Sequence, residues 1–107
     1  MRTPNILFRY RVYDDPDEGF LIGFAAGRRI GTAVDRNRVK RHMREAFRKE
    51  QHRLKRFRLE RTIGLHGLFL AQSATLNARQ ANNEIPGLLN RLRDRLPDSA
   101  QSTSDNR

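Results

Sequence analysis

The chain has 107 residues and carries 22 Lys and Arg against 12 Asp and Glu, which gives a formal net charge of +10 and a pI near 11.4. It has no Cys and no apolar run near the roughly 20 residues that cross a bilayer, which excludes disulfides, thiol chemistry and a membrane-spanning helix. So large a positive charge repels itself in a compact domain, and it therefore predicts a polyanionic partner, with nucleic acid as the favoured class.

The first half of the chain predicts two strands and a basic helix. Residues 6–13 and 20–26 are rich in aromatic and branched side chains, and the acidic turn between them predicts an antiparallel hairpin. A basic connector with Gly at each end follows at 27–31. A helix is predicted from Asp35, the expected N-cap, to about Leu54. The apolar residues expected to face the core are Val39, Met43, Ala46, Phe47 and Leu54.

The second half predicts one short strand and one helix. Residues 58–67 are ambiguous, because Gly64 and Gly67 suggest a loop, and residues 68–71 read as a short buried strand. A helix is expected over 84–96, with Asn83 as its N-cap and Pro86 in its first turn. Its apolar stripe comprises Ile85, Leu88, Leu89, Leu92 and Leu96.

The order β, β, α, β, α predicts an α+β fold in which helices pack on a small sheet. Residues 1–97 are expected to form this single domain. Residues 98–107 are low in hydrophobicity and are expected to form a disordered tail. The N-terminus does not resemble a signal peptide, so a cytoplasmic location is expected.

The positive charge is concentrated in one third of the chain. Residues 28–58 hold 13 Lys and Arg and three acidic residues, and 13 − 3 equals the net charge of the whole chain. Within the predicted helix the basic residues recur at spacings of three and four, so they lie on adjoining ridges of one helix. Arg presents forked donors to phosphate oxygens, and Asn37 can bond either a phosphate or a base edge. This helix is therefore the predicted nucleic-acid contact.

Other kinds of site find little support in the sequence. His42, His52 and His66 are far apart and have no second ligand at metal spacing, so no metal site is predicted. There is no Ser/His/Asp set and no Gly-rich phosphate loop, so no catalytic side chain is predicted. A DNA-groove reader would usually need a dimerisation stripe, which is not seen, and no protein oligomer is predicted.

The basic helix carries a recognisable string. Arg36-Asn37-Arg38 is followed by Lys40-Arg41 and then by REAFR at 44–48, and the string is preceded by RRIGTAV at 28–34. This order resembles the signature of the bacterial ribonuclease P protein component. The resemblance is strong from Gly23 to Arg48 and extends from about Ile6 to Leu96.

The resemblance implies a fold, a function and a set of contacts. The family fold is a two-layer α/β sandwich with a left-handed β-α-β crossover through the basic helix. The family's proteins bind the catalytic RNA and precursor tRNA, and the RNA removes the 5′ leader with magnesium ions, so the protein alone binds no cofactor. The residues expected to contact RNA are Arg28, Arg29, Arg36, Asn37, Arg38, Lys40, Arg41, Arg44 and Arg48. Phe8 and Tyr10 are expected to contact the leader.

The sequence departs from the family pattern in three places. Family members normally begin with a basic segment and a helix bearing aromatic residues, whereas this chain starts at Met1 almost inside the first strand, so that helix is expected to be absent. The connector over 54–67 is longer than usual, and Gln72 stands where the family typically has Arg. A general RNA-binding or ribosome-associated module that has lost the processing role is therefore the alternative.

Overall fold

Three strands and two α-helices make up most of residues 1–96, which are the residues that this computed structural model describes. The strands are β1 (Ile6–Tyr13), β2 (Phe20–Ala26) and β3 (Gly64–Ala71). The helices are α1 (Ala33–Glu60) and α2 (Ala78–Arg95), and a short 3-10 helix covers Pro16–Glu18. The tail predicted over 98–107 lies outside the described residues.

The strands form one mixed sheet in the order β1-β3-β2. β1 is antiparallel to β3, whereas β2 is parallel to it, so the connection β2–α1–β3 is a crossover through the basic helix. The predicted α+β architecture of a small sheet packed by helices is confirmed. The central position of β3 also gives both edge strands a fixed register, since Phe69 pairs with Phe8 on one side and with Phe24 on the other.

The predicted β1–β2 hairpin is wrong, because β3 lies between the two strands. The acidic turn and the 3-10 helix instead cross the start of β3, where the backbone N–H of Leu65 donates to the carbonyl of Gly19 at 2.8 Å. Gly64 makes this crossing possible, since a Cβ there would lie 2.8 Å from the carbonyl oxygen of Asp15. Gly64 and Gly67, which suggested a loop, therefore belong to a strand that neighbouring groups approach closely.

Both helices are longer than predicted. α1 begins after Thr32, which forms a capping box with Asp35, and the helix runs on to Glu60 instead of ending near Leu54. Asp35, predicted as the N-cap, is the third helical residue. α2 begins after Asn77, which forms a capping box with Gln80, so Asn83 is not the cap and Pro86 lies inside the helix.

The core lies between the helices and one face of the sheet. Every apolar residue predicted to face the core from the basic helix is buried, as is the stripe predicted for α2. Phe69 occupies the centre, with its ring centroid 4.3 Å from that of Phe8 and 5.7 Å from those of Phe24 and Phe47. This packing fixes α1 above β2 and so decides which flank of the basic helix faces the edge of the sheet.

Candidate nucleic-acid interface

The basic helix starts at a tightly built N-terminus. The hydroxyl of Thr32 accepts from the backbone N–H of Asp35 at 3.1 Å, and the Asp35 carboxylate accepts from the backbone N–H of Thr32 at 3.0 Å. The Thr32 backbone bond, followed by the bond from Arg38, lowers the pKa of Asp35 below its usual value. Gly31, at φ 55°, precedes this cap, and a Cβ at that position would overlap the Asp35 carboxylate. The entry into α1 is thereby fixed.

Arg36 folds back onto the connector that precedes the helix. Its Nη1 donates to the carbonyl oxygen of Gly31 at 3.0 Å and to that of Arg28 at 3.3 Å. The side chain is half-buried, so it holds the connector against the first turn of α1. Arg28 and Arg29 themselves are exposed, and they lie beside Gln72 at the end of the sheet where β2 and β3 finish.

Arg38 has partners within the protein on the other flank of the helix. Its Nη2 lies 2.9 Å from an Asp35 carboxylate oxygen and donates to the carbonyl oxygen of Ala74 at 2.9 Å. Arg38 therefore ties α1 to the segment between β3 and α2. Lys49 marks the same flank further along, where its Nζ approaches the side-chain oxygen of Asn82 in α2 at 3.4 Å.

The remaining predicted RNA-contacting residues of α1 share the flank that faces β2. These residues follow one another at helical spacing and, within residues 1–96, show no side-chain hydrogen bond or ion pair: Asn37, Lys40, Arg41, Arg44 and Arg48. Arg44 shows the direction of this flank, since its guanidinium carbon lies 6.0 Å from the ring centroid of Phe24 in β2. We call this set, together with Arg28 and Arg29, the basic surface. Its donors are free to meet an external polyanion.

The two residues predicted to contact the leader have different environments. Phe8 is fully buried and stacks on Phe69 in the core, so the prediction that it contacts the leader does not fit its packing. Tyr10 is half-buried and stacks on Phe8 with ring centroids 5.6 Å apart. Phe8 therefore supports the Tyr10 ring from below, and of the two only Tyr10 presents an aromatic surface to solvent.

A cationic residue that the sequence did not indicate lies beside Tyr10. A shallow cleft of about 290 Å³ is lined by Met1, Phe8, Arg9, Tyr10 and Arg95. Arg95 ends α2, 85 positions along the chain from Tyr10, so no local pattern connects the two. Arg9 neighbours Tyr10 in the chain but is exposed in a strand that alternates its faces.

Two further features concern metal binding and membrane-spanning helices. Within residues 1–96, no three His, Asp or Glu side chains come together in a way that could hold a metal ion. The described helices include none whose length and apolar character would let it cross a bilayer.

Comparisons with known proteins show which family the chain is similar to. A family model described as Ribonuclease P matches residues 1–93. A ribonuclease P protein component of Macrococcus caseolyticus (strain JCSC5402) is 43% identical over 42 residues, which are 39% of this chain and 36% of that relative. The matched part thus spans little more than a third of the relative's length.

Two solved structures share the fold. The structure of Staphylococcus aureus RNase P protein at 2.0 Å superposes with a TM-score of 0.62 at 18% identity, covering 86% of this chain and 78% of that chain. A mutant of the S. aureus protein with defective mRNA degradation activity gives a TM-score of 0.60 at 18% identity, covering 86% of this chain and 72% of that chain. At this identity, the two structures bear on the fold alone.

Proposed function

This chain belongs to the family of bacterial ribonuclease P protein components, and from that membership we propose that it is the protein subunit of a bacterial ribonuclease P. In this role it binds the catalytic RNA and assists removal of the 5′ leader from precursor tRNA in the cytoplasm. The observation that carries the proposal is the basic surface, whose α1 residues project from one flank of a helix that packs on the core through its opposite face.

The basic surface fits an RNA backbone for electrostatic and geometric reasons. Successive cations on one flank of α1 match a phosphate chain that runs along the helix, and forked Arg donors suit phosphate oxygens. Arg36 and Arg38 act mainly through positioning, because their guanidinium groups already bond Gly31 and Ala74. We assign direct contacts to Arg28, Arg29, Asn37, Lys40, Arg41, Arg44 and Arg48.

The protein contributes binding and leaves the chemistry to the RNA. In the assembled ribonucleoprotein, magnesium ions held by the RNA would supply the activation that phosphodiester hydrolysis needs. The protein's cations lower the repulsion between the catalytic RNA and its RNA substrate. As in the family, we also propose that the β2–α1–β3 crossover is left-handed.

The function is tested by precursor-tRNA cleavage with the cognate catalytic RNA at low magnesium, with and without the protein. We expect the protein to stimulate cleavage at the correct 5′ end, because its charge replaces part of the counterion requirement. Tight and salt-sensitive binding without stimulation would contradict the subunit role and would support a general RNA-binding module instead.

Tyr10 is proposed to stack on a base of the single-stranded leader, with Arg95 nearby for a phosphate. In the assembled complex, Tyr10→Ala is expected to weaken the binding of precursor tRNA by about fivefold or more and to leave the binding of mature tRNA nearly unchanged. The reason is that a base stacked on a ring contributes about 1–3 kcal/mol. Affinities for both RNAs measure this difference. Tyr13→Ala, in the same strand but on the other face, is the control, and equal losses for both RNAs with Tyr10→Ala would assign Tyr10 to the fold.

A further inference from the structure

A groove runs between the outer flank of α1 and the edge strand β2. It has a volume of about 330 Å³, at the lower end of the range typical of ligand sites. β2 pairs with β3 on one side and has no strand on the other side among the described residues. The groove is lined by Phe20, Ile22, Phe24, Arg44, Phe47, Arg48, Gln51 and Lys55.

The floor of the groove is aromatic. Phe20 and Phe24 lie on the same face of β2, four positions apart, and both are half-buried. Phe47 packs behind them, with its ring centroid 6.5 Å from that of Phe20 and 5.8 Å from that of Phe24. The phenyl rings are thus braced by the core while part of their surface stays open to the groove, which is what a stacking platform requires.

The wall of the groove is cationic and lacks acidic groups. Arg44, Arg48, Gln51 and Lys55 follow one another at spacings of four, three and four, which places them on one ridge of α1. The guanidinium carbon of Arg44 lies 6.0 Å from the centroid of Phe24, and Nζ of Lys55 lies 5.8 Å from that of Phe20. Each half-open ring therefore has a cation over it at cation–π distance, and no Asp or Glu lines the groove.

We propose that this groove binds a short single-stranded segment of RNA, with bases against Phe20 and Phe24 and phosphates on Arg44, Arg48 and Lys55. Apolar rings alone would suit many partners, but three cations without a carboxylate select a polyanion. A duplex buries its base faces and would contact only the cationic wall, whereas an unpaired strand would contact both the aromatic floor and the cationic wall.

This site is separate from the cleft at Tyr10. Tyr10 belongs to the opposite edge strand β1, and the two edge strands are held about 10 Å apart by the intervening β3. The inference rests on the proposed RNA-binding function, but it assigns a second point of contact with unpaired RNA. A ribonucleoprotein subunit with both sites could hold two single-stranded segments at once.

The test measures binding of a fluorescein-labelled octauridylate and of an eight-base-pair RNA duplex to the full chain, over a range of salt concentrations. Phe20→Leu is expected to weaken binding of the single strand by at least about fivefold and to change binding of the duplex hardly at all. Leucine keeps the apolar volume but offers no ring on which a base can stack. Lys55→Gln is expected to lower the salt slope for the single strand by about 0.7. The matched controls are Tyr13→Leu, an aromatic residue on the other face of the sheet, and Lys49→Gln, on the other flank of α1.

Several outcomes would overturn the inference. Unchanged octauridylate binding in both Phe20→Leu and Lys55→Gln would remove the groove from the interface, and equal weakening of strand and duplex would leave only a charged surface. Competition by an octaglutamate peptide that Phe20→Leu abolishes would point to an acidic protein partner instead. None of these measurements uses cleavage. A negative result for the groove therefore does not affect the proposed subunit role, which the precursor-tRNA cleavage assay tests. Failure of the cleavage assay likewise leaves the groove to be tested by octauridylate binding.

Discussion

Phe69→Ala is expected to lower the free energy of unfolding by about 3–5 kcal/mol, as large-to-small substitutions of buried aromatic residues do. Phe69 is fully buried on the middle strand, and its ring touches aromatic neighbours from β1, β2 and α1. The substitution would leave a cavity and remove packing contacts to all three elements at once. Since small domains are typically stable by about 5–15 kcal/mol, this single change removes much of the stability. Urea denaturation followed by circular dichroism measures the difference.

Leu21→Ala is the matched control for that experiment. Leu21 is also an apolar strand residue, but it is 61% exposed, so its replacement is expected to change the free energy of unfolding by no more than about 0.5 kcal/mol. A loss below about 1 kcal/mol for Phe69→Ala would contradict the central position assigned to this ring.

The double variant Lys40→Gln and Arg41→Gln is expected to weaken binding to the cognate catalytic RNA by about 30-fold at roughly 0.1 M salt. Each phosphate contact contributes about 0.7 to 0.9 to the slope of log affinity against log salt, so losing two lowers the slope by roughly 1.5. Both residues lie on the flank of α1 that carries the basic surface, and neither has a hydrogen-bonded partner within residues 1–96. Neither lines the groove beside β2, so this experiment is independent of that site.

The matched control removes the same charge from the other flank of α1, through Lys49→Gln and Arg56→Gln. Salt-dependent binding of both double variants is compared with that of the unmodified protein. A local interface predicts a clearly smaller change in slope for the control. Equal changes would mean that the RNA responds to the total charge of the protein, and the assignment of one flank would then fail.

The sequence indicated the elements better than their ends. Helical spacing in α1 and α2 depends on side chains a turn apart, and both stripes were correctly assigned to the core. The helix starts were misplaced because Asp35 and Asn83 are good caps in isolation, whereas Thr32 and Asn77 form reciprocal capping boxes and begin the helices earlier. A cap is a choice between competing local partners, which composition alone does not rank.

For the sheet, the sequence indicated the strands but not which strands pair. β1 and β2 were recognised as strands, but the intervening turn is as compatible with a hairpin as with a span across a third strand. In the folded protein the acidic turn lies directly on Gly64, where a side chain would collide with the backbone of Asp15. That contact joins residues far apart in the chain, so only the folded arrangement reveals it.

By itself, the sequence determined the chemical character of this protein. The charge imbalance, the string of basic residues at spacings of three and four and the lead-in that precedes them are local properties, and together they predict a helix that binds nucleic acid. Only the tertiary structure decided what each residue can do. It assigns Arg36 and Arg38 to internal bonds, buries Phe8, and brings Phe20 and Phe24 beside Arg44 and Lys55. Those roles depend on which elements pack against which, a property of contacts between distant residues that no local pattern encodes.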